Sequence, residues 1–331
     1  MNKVTVILER KYKMDLPIEI KRYIENELNA ISKKELQNNA KNISINYRTN
    51  EGEGKRLLKS EDEALAYAIS RMPATYGAVY NSLKHSIEIY NPNIKTVADI
   101  GAGTGAGAIA VNELLDIEKI ECFEREDAMR KIGKKIFDNY DNISEKSNWN
   151  KLDICKDKID KKYDLVVVSY MLNEISDDKK DIIVEKLWRT CNKMLLIVEP
   201  GTMKGYNNII NAKKKLIENG GKVVAPCRSN ECKLPKNDWC NFSCRVQRTK
   251  IHKELKEGNV PYEDEKYIYI AVTKDEINDT DKKRILRHPM IYSGFVKLKV
   301  CNKDEIEEIT ITKKDKEKFK IARKSEAGDL I

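Results

Sequence analysis

Positions 96 to 107 read Thr-Val-Ala-Asp-Ile-Gly-Ala-Gly-Thr-Gly-Ala-Gly. A short apolar strand, Thr96 to Ile100, runs straight into a glycine-rich turn and then into a helix expected from about Ala108 to Leu115. A strand that ends in such a turn and opens a helix brings backbone N–H groups against a ligand. Glycine is needed there because a side chain would block the approach and because the turn needs unusual backbone angles. The spacing Gly101, Gly103, Gly105 is G-x-G-x-G, not the G-x-G-x-x-G of dinucleotide sites. Asp99 precedes it, and the next expected strand, Ile120 to Phe123, ends at Glu124, placed to accept hydrogen bonds from ribose hydroxyls. Asp153 follows another short apolar stretch and is a candidate for the adenine edge.

The tighter glycine spacing after an acidic residue is the form that, in methyltransferases, lies against the methionine part of S-adenosylmethionine. The expected cofactor is therefore S-adenosylmethionine, held by Asp99, Gly101, Gly103, Gly105, Glu124, Asp153 and Ser169. Further strands are expected at Tyr163 to Ser169, Met194 to Val198, Lys222 to Ala225 and Tyr267 to Thr273, with helices at about Asp178 to Cys191 and Tyr206 to Asn219. Strands alternating with helices predict an α/β fold, a class I methyltransferase Rossmann-like sheet covered on both faces. Residues 1–90 read as a helical N-terminal domain, with runs at Pro17 to Leu28, at Glu61 to Met72 stopped by Pro73, and from Ala74 to about Tyr90. The S-adenosylmethionine-binding Rossmann-like domain is expected over 91–225 and a cysteine-rich metal-binding insertion over 226–265. Residues 266–331 are expected to hold the last sheet strand and a small C-terminal β extension with a basic tail.

The strand end Ser169 to Glu174 lies where a methyl acceptor is expected, at the carboxyl edge of the sheet. It lacks the Asn/Asp-Pro-Pro-Tyr pattern of adenine or cytosine amino methylation, and no cysteine paired with proline is placed to attack a pyrimidine. The residues thus point to a cofactor without naming a catalytic group. A non-catalytic use of the domain stays open.

Cys227, Cys232, Cys240 and Cys244 fall in one loop-rich stretch, Cys-x4-Cys-x7-Cys-x3-Cys. Thiolates favour iron–sulfur clusters, zinc or copper(I). The spacing departs from the paired Cys-x2-Cys of zinc ribbons, which favours a cluster over zinc. Cys301 is a fifth candidate, at the end of an expected strand, while His252 and His288 are alternates. Cys122, Cys155 and Cys191 read as buried small hydrophobes. The pattern also lacks the Cys-x3-Cys-x2-Cys of radical S-adenosylmethionine enzymes.

Among 331 residues, 40% are hydrophobic and 35% charged, with a net charge of +9. That is enough apolar material for a core, under a surface biased toward polyanions. No run of 18 or more apolar residues predicts a membrane span. The first residues lack a signal-peptide pattern, so a cytoplasmic chain with reduced cysteines is expected. Lys233, Lys236, Arg245, Arg248, Lys250 and the tail Lys313 to Lys324 are candidates for phosphate contacts. Oligomeric state is not legible.

Several stretches resemble a known family. They are Ala66 to Tyr76, Tyr163 to Glu174, Leu187-Trp188, Val198-Glu-Pro-Gly-Thr202, Pro226-Cys227, Asp238-Trp-Cys-Asn-Phe-Ser243 and Arg245-Val-Gln-Arg248. Together they resemble the mitochondrial small-ribosomal-subunit methyltransferase-like family, of the Rsm type, and its prokaryotic relatives, from about Leu16 to the end. The resemblance implies a role with the ribosomal small subunit and its rRNA, in assembly or as an rRNA methyltransferase, and a 4Fe-4S cluster. It implies Cys227, Cys232, Cys240 and Cys301 as ligands. Cys244 stands where the family has another residue, which leaves it an extra thiol or an alternate ligand.

Overall fold

The computed structural model describes residues 14–28, 60–227, 229–235, 238–255, 260–278, 280–302 and 305–331. The N-terminal stretch read for targeting lies mostly outside the described residues. In chain order the elements are α1 (Ile18–Leu28), α2 (Glu61–Ile87), β1 (Thr96–Ile100), α3 (Ala106–Leu114), β2 (Lys119–Glu124), α4 (Asp127–Asp138), α5 (Asp141–Ser144), β3 (Ser147–Lys151), β4 (Tyr163–Ser169), α6 (Asp177–Thr190), β5 (Cys191–Pro200), α7 (Met203–Glu218) and β6 (Lys222–Ala225). There follow β7 (Phe242–Gln247), α8 (Lys250–Leu255), β8 (Tyr262–Thr273), β9 (Arg284–Ile285), β10 (Met290–Ile291), β11 (Phe295–Cys301), β12 (Ile306–Thr312) and α9 (Lys316–Ala322).

The main sheet runs β3-β2-β1-β4-β5-β8-β6, with β7 also paired to β8. β3, β2, β1, β4 and β5 are parallel, and β8 is antiparallel to β5, β6 and β7. The fold is mixed α/β with a parallel-dominated sheet. Strand order reverses between β1 and β4, so the crevice at their carboxyl ends is the switch point where such sheets bind ligands. The glycine-rich turn sits there.

Alternation along the strands explains the two layers of core. Met194, Leu196 and Val198 of β5 face the α1–α4 side, and Leu195 and Ile197 face α6 and α7. Near-continuous apolar runs follow from burial on both faces. The two helices expected on either side of Pro73 are a single element, α2. Proline removes one helical hydrogen bond, but Met72, Ala74, Tyr76, Ala78 and Val79 are all buried around it, and packing holds the helix together. Ser60 caps its start, accepting from Glu63 N at 3.1 Å. Since α2 shares a core with β1, β4 and β5, residues 61–87 are part of the α/β body.

Residues 284–322 form a second, smaller unit. β9 and β10 pair with one edge of β11 and β12 with the other, over a core of Ile285, Val296, Leu298, Val300, Ile311, Phe319 and Ala322. Buried Arg284 fastens it to the body. Its guanidinium donates to the carbonyls of Pro226 (3.1 Å), Gly328 (2.7 Å) and His85 (2.9 Å). Within the expected β extension, residues 290–301 form a hairpin, because Ser293-Gly294 turns the chain between β10 and β11. The basic tail is mostly the helix α9. No helix among the described residues is long and apolar enough to cross a membrane.

Candidate functional site

Gly101, Gly103 and Gly105 all adopt left-handed backbone, with φ of 72°, 57° and 92°, which side chains resist. Gly105 has a second reason: a Cβ there would stand 2.4 Å from the Phe137 ring. Asp99, fully buried at the end of β1, accepts from Ala108 N at 2.8 Å, so its carboxylate ties β1 to the first turn of α3. Burial pushes that carboxyl up to about 7. Asp99 Oδ1 and Thr104 Oγ1 are buried without hydrogen-bond partners. Across the turn, Glu124 at the end of β2 accepts from Gly103 N at 2.9 Å and Glu126 N at 2.8 Å, and burial raises its carboxyl too. The expected residues Asp99, Gly101, Gly103, Gly105 and Glu124 therefore meet at one edge.

Asp153 and Ser169 are placed differently. Asp153 organises its own turn, accepting from Cys155 N at 3.1 Å and pairing with Lys156 at 3.6 Å. Ser169 ends β4, half-buried. The next residue, Tyr170, is strained at φ 60°. Its hydroxyl donates to Glu265 Oε1 at 2.9 Å, and Arg71 of α2 donates to both oxygens of Glu265. The acceptor edge is thus clasped to α2 and β8.

Two carboxylates that sequence reasoning left without a role complete this edge. Glu199 is fully buried, accepting from Leu172 N and Asn208 Nδ2 at 3.0 Å each, and burial pushes it up to about 7. Half-buried Glu174 rises to about 8 through burial and then the Glu124 carboxylate. An acidic residue closing the apolar run of β5 was the available signal for Glu199.

The cysteine-bearing stretch is held by the motif residues around it. Trp239 Nε1 donates to the Gly201 carbonyl at 3.0 Å, and Asp238 pairs with Arg287 (2.6 Å) and Lys299 (3.2 Å). Cys227 and Cys301 hydrogen-bond through their thiols, and the Cys227 thiol is held below its usual value by that bond, then by Lys213 and Arg284 against burial. Cys240 and Cys232 lie within electrostatic reach of Cys301, and the Tyr206 hydroxyl is hydrogen-bonded to Cys232. Four thiols, from Cys227, Cys232, Cys240 and Cys301, thus share one neighbourhood, a donor set suited to a soft metal or a cluster. Among the described residues, however, no three His, Cys, Asp or Glu side chains stand in an arrangement that would hold a metal ion. The thiols are gathered without being closed around a common centre.

Cys244 is elsewhere. It is buried in β7 beside Glu265, Asp264 and Arg71, and a Cβ at Gly77 would lie 3.0 Å from its sulfur. Cys122 and Cys191 are buried as expected, although Cys191 opens β5 and is not a helix residue; Cys155 is exposed, contrary to expectation. It falls in the turn 153–157, where the Asp153 carbonyl accepts from Lys156 N and Asp157 N. Arg245 and Arg248, candidates for phosphate, are spent on Asp264 (2.7 Å) and Glu263 (3.3 Å). His85 is buried and pushed down to about 3 by burial and by Arg284. His252 is buried against Glu263 at 3.4 Å.

Comparison with known proteins gives relatives of two kinds. The mitochondrial ribosome assembly protein METTL17 of Homo sapiens is 23% identical over 299 residues, covering 84% of this chain and 64% of that protein. The chain thus spans about 64% of the length of that curated relative. Among solved structures, magnesium protoporphyrin IX methyltransferase from Synechocystis PCC 6803, with bound SAM, is 11% identical with a TM-score of 0.41, covering 70% of this chain and 91% of that one. Ribosomal protein L11 methylase from Lactobacillus delbrueckii subsp. bulgaricus is 16% identical with a TM-score of 0.38, covering 59% and 77%. The family model described as mitochondrial small ribosomal subunit Rsm22 matches residues 61–331, and the chain belongs to that family.

Proposed function

We propose that this chain is an S-adenosylmethionine-binding assembly factor of the small ribosomal subunit. The observation that carries the cofactor part is the edge around Asp99. Three left-handed glycines shape the turn there, Asp99 Oδ1 and Thr104 Oγ1 are buried without partners, and Glu124 faces the turn. In this reading Glu124 accepts from the ribose hydroxyls, and the glycine backbone and Asp99 hold the methionine part. S-adenosylmethionine carries a sulfonium, and a cation beside Asp99, Glu124 and Glu174 would offset the burial that raises their carboxyls. When bound, it supplies an electrophilic methyl group. The small-subunit part is supported by family membership and by the printed role of METTL17 in ribosome assembly. The cytoplasmic setting and contact with rRNA belong to the same proposal.

A structural 4Fe-4S cluster, with zinc as the alternative, is the proposed use of Cys227, Cys232, Cys240 and Cys301. It would staple the loop after β6 to the end of β11. Methyl transfer to rRNA is a second reading. It is favoured by Glu174 at the acceptor edge, whose carboxyl is pushed up to about 8 by burial and then by the Glu124 carboxylate, within the range of a proton-exchanging group. Against it, Tyr170 is tied up by Glu265.

Calorimetric titration of the full chain with S-adenosylmethionine tests the cofactor claim. Saturable binding, lost in Gly103→Arg, is expected. Absence of binding by the wild type contradicts it. Methyl incorporation into small-subunit rRNA would move the second reading to first place.

A further inference from the structure

We propose that the hairpin β10–β11 of the C-terminal unit is a stacking platform for unpaired bases of single-stranded RNA. Met290, Ile291 and Tyr292 are three consecutive large apolar residues, each 45–49% exposed. Such a run on a surface is a binding feature or a liability. Here it has order. The Tyr292 and Phe295 rings stack at 4.5 Å with planes 20° apart, and Tyr292 N donates to Phe295 O at 2.9 Å to close the hairpin.

The charge around the rings selects the occupant. Val296, Leu298 and Val300 point into the C-terminal core, so Phe295 and Lys297 share the opposite face of β11. In register, Met290 and Thr310 flank Lys297. Lys313 N donates to Gly294 O at 3.0 Å, which brings Lys313 and then Lys314 to the tip of the hairpin. Lys297, Lys313 and Lys314 take part in no ion pair among the described residues, unlike Lys299, which is paired with Asp238. The nearest carboxylate in register on that face is Glu308, opposite Lys299 and one pair removed from Lys297 on the same face. Aromatic faces with unpaired cations beside them match bases and phosphates together.

The inference rests on the small-subunit reading and gives it a contact surface. It is tested on the full chain by anisotropy with a short fluorescein-labelled oligouridine. Tyr292→Ser/Phe295→Ser is expected to weaken binding about tenfold or more, with the salt dependence kept, from ~1–3 kcal/mol per stacked base. Lys297→Glu/Lys313→Glu is expected to weaken binding and reduce the salt slope by about 1.4, two phosphates at ~0.7 each for a single strand. Circular dichroism of both variants checks that the fold is kept. Equal affinity of the wild type and both variants overturns the platform and leaves the small-subunit reading standing. No RNA binding by the wild type overturns both. A wild type that is a dimer and becomes a monomer in the aromatic variant, with RNA affinity unchanged, makes the hairpin a self-association surface and overturns the inference.

Discussion

Arg71 and Glu265, 194 positions apart, meet through guanidinium hydrogen bonds of 3.1 and 3.3 Å, and the same carboxylate receives the Tyr170 hydroxyl. The clasp joins α2, the strained end of β4 and β8 beside the proposed cofactor edge. Removing the cation leaves Glu265, 11% exposed in its side chain, without its main partner. Arg71 is itself 32% exposed, so the loss in Arg71→Ala is discounted from the 3–5 kcal/mol of a fully buried pair to about 2 kcal/mol. A melting temperature lower by about 3 °C is expected, from an unfolding entropy of ~2.1 cal/mol/K per residue. An unchanged melt would make the clasp incidental.

Gly107 lies against Asp99, and a Cβ there would be 2.8 Å from Asp99 Oδ2. Gly107→Ala is expected to cost about 1–3 kcal/mol by overpacking and to abolish S-adenosylmethionine binding. Gly294→Ala, at a position with nothing within 4 Å, serves as control and stays within about 0.5 kcal/mol of wild type. Retained cofactor affinity in Gly107→Ala would show that Asp99 does not shape the site.

The carboxyls of Asp99 and Glu199 at about 7 and Glu174 at about 8 lie above their free values. The folded chain therefore holds these protons more tightly than the unfolded chain. Their contribution to stability is full below about pH 4 and is lost as pH rises toward about 8. The urea midpoint is expected to fall from about pH 5 to about pH 8.5, less steeply in Glu174→Gln. A cationic ligand opposes protonation, so S-adenosylmethionine should bind more tightly at about pH 8 than at about pH 6 and release protons. Equal affinity at the two would contradict the electrostatic part of the proposal.

Cys301 shares the neighbourhood of Cys227, Cys232 and Cys240, and Cys244 does not. In protein purified without oxygen, Cys301→Ser and Cys240→Ser are expected to lose most iron and sulfide, while Cys244→Ser keeps both. Stoichiometric zinc without iron would make the site a zinc staple. Loss of metal from Cys244→Ser alone would contradict the ligand assignment.

Much of the parallel core was legible because strands buried on both faces leave short apolar runs ended by polar residues, as at Tyr163 to Ser169. The glycine edge was legible for the same local reason. β3 was missed because Ser-Asn-Trp-Asn-Lys is polar, an edge strand half-exposed on its pairing surface. Pro73 misled because tertiary burial outweighed a local helix-breaking preference. The choice between Cys244 and Cys301 was a matter of fold-back across about sixty residues of chain, which spacing cannot encode. The clasp of Arg71 and Glu265 was hidden for the same reason.

The small-subunit assignment is tested most directly by capturing the full chain from its own cells and sequencing the RNA that copurifies. The expected result is enrichment of small-subunit rRNA over large-subunit rRNA, reduced in the hairpin variants. Equal recovery of both rRNAs, or recovery of neither, would contradict it.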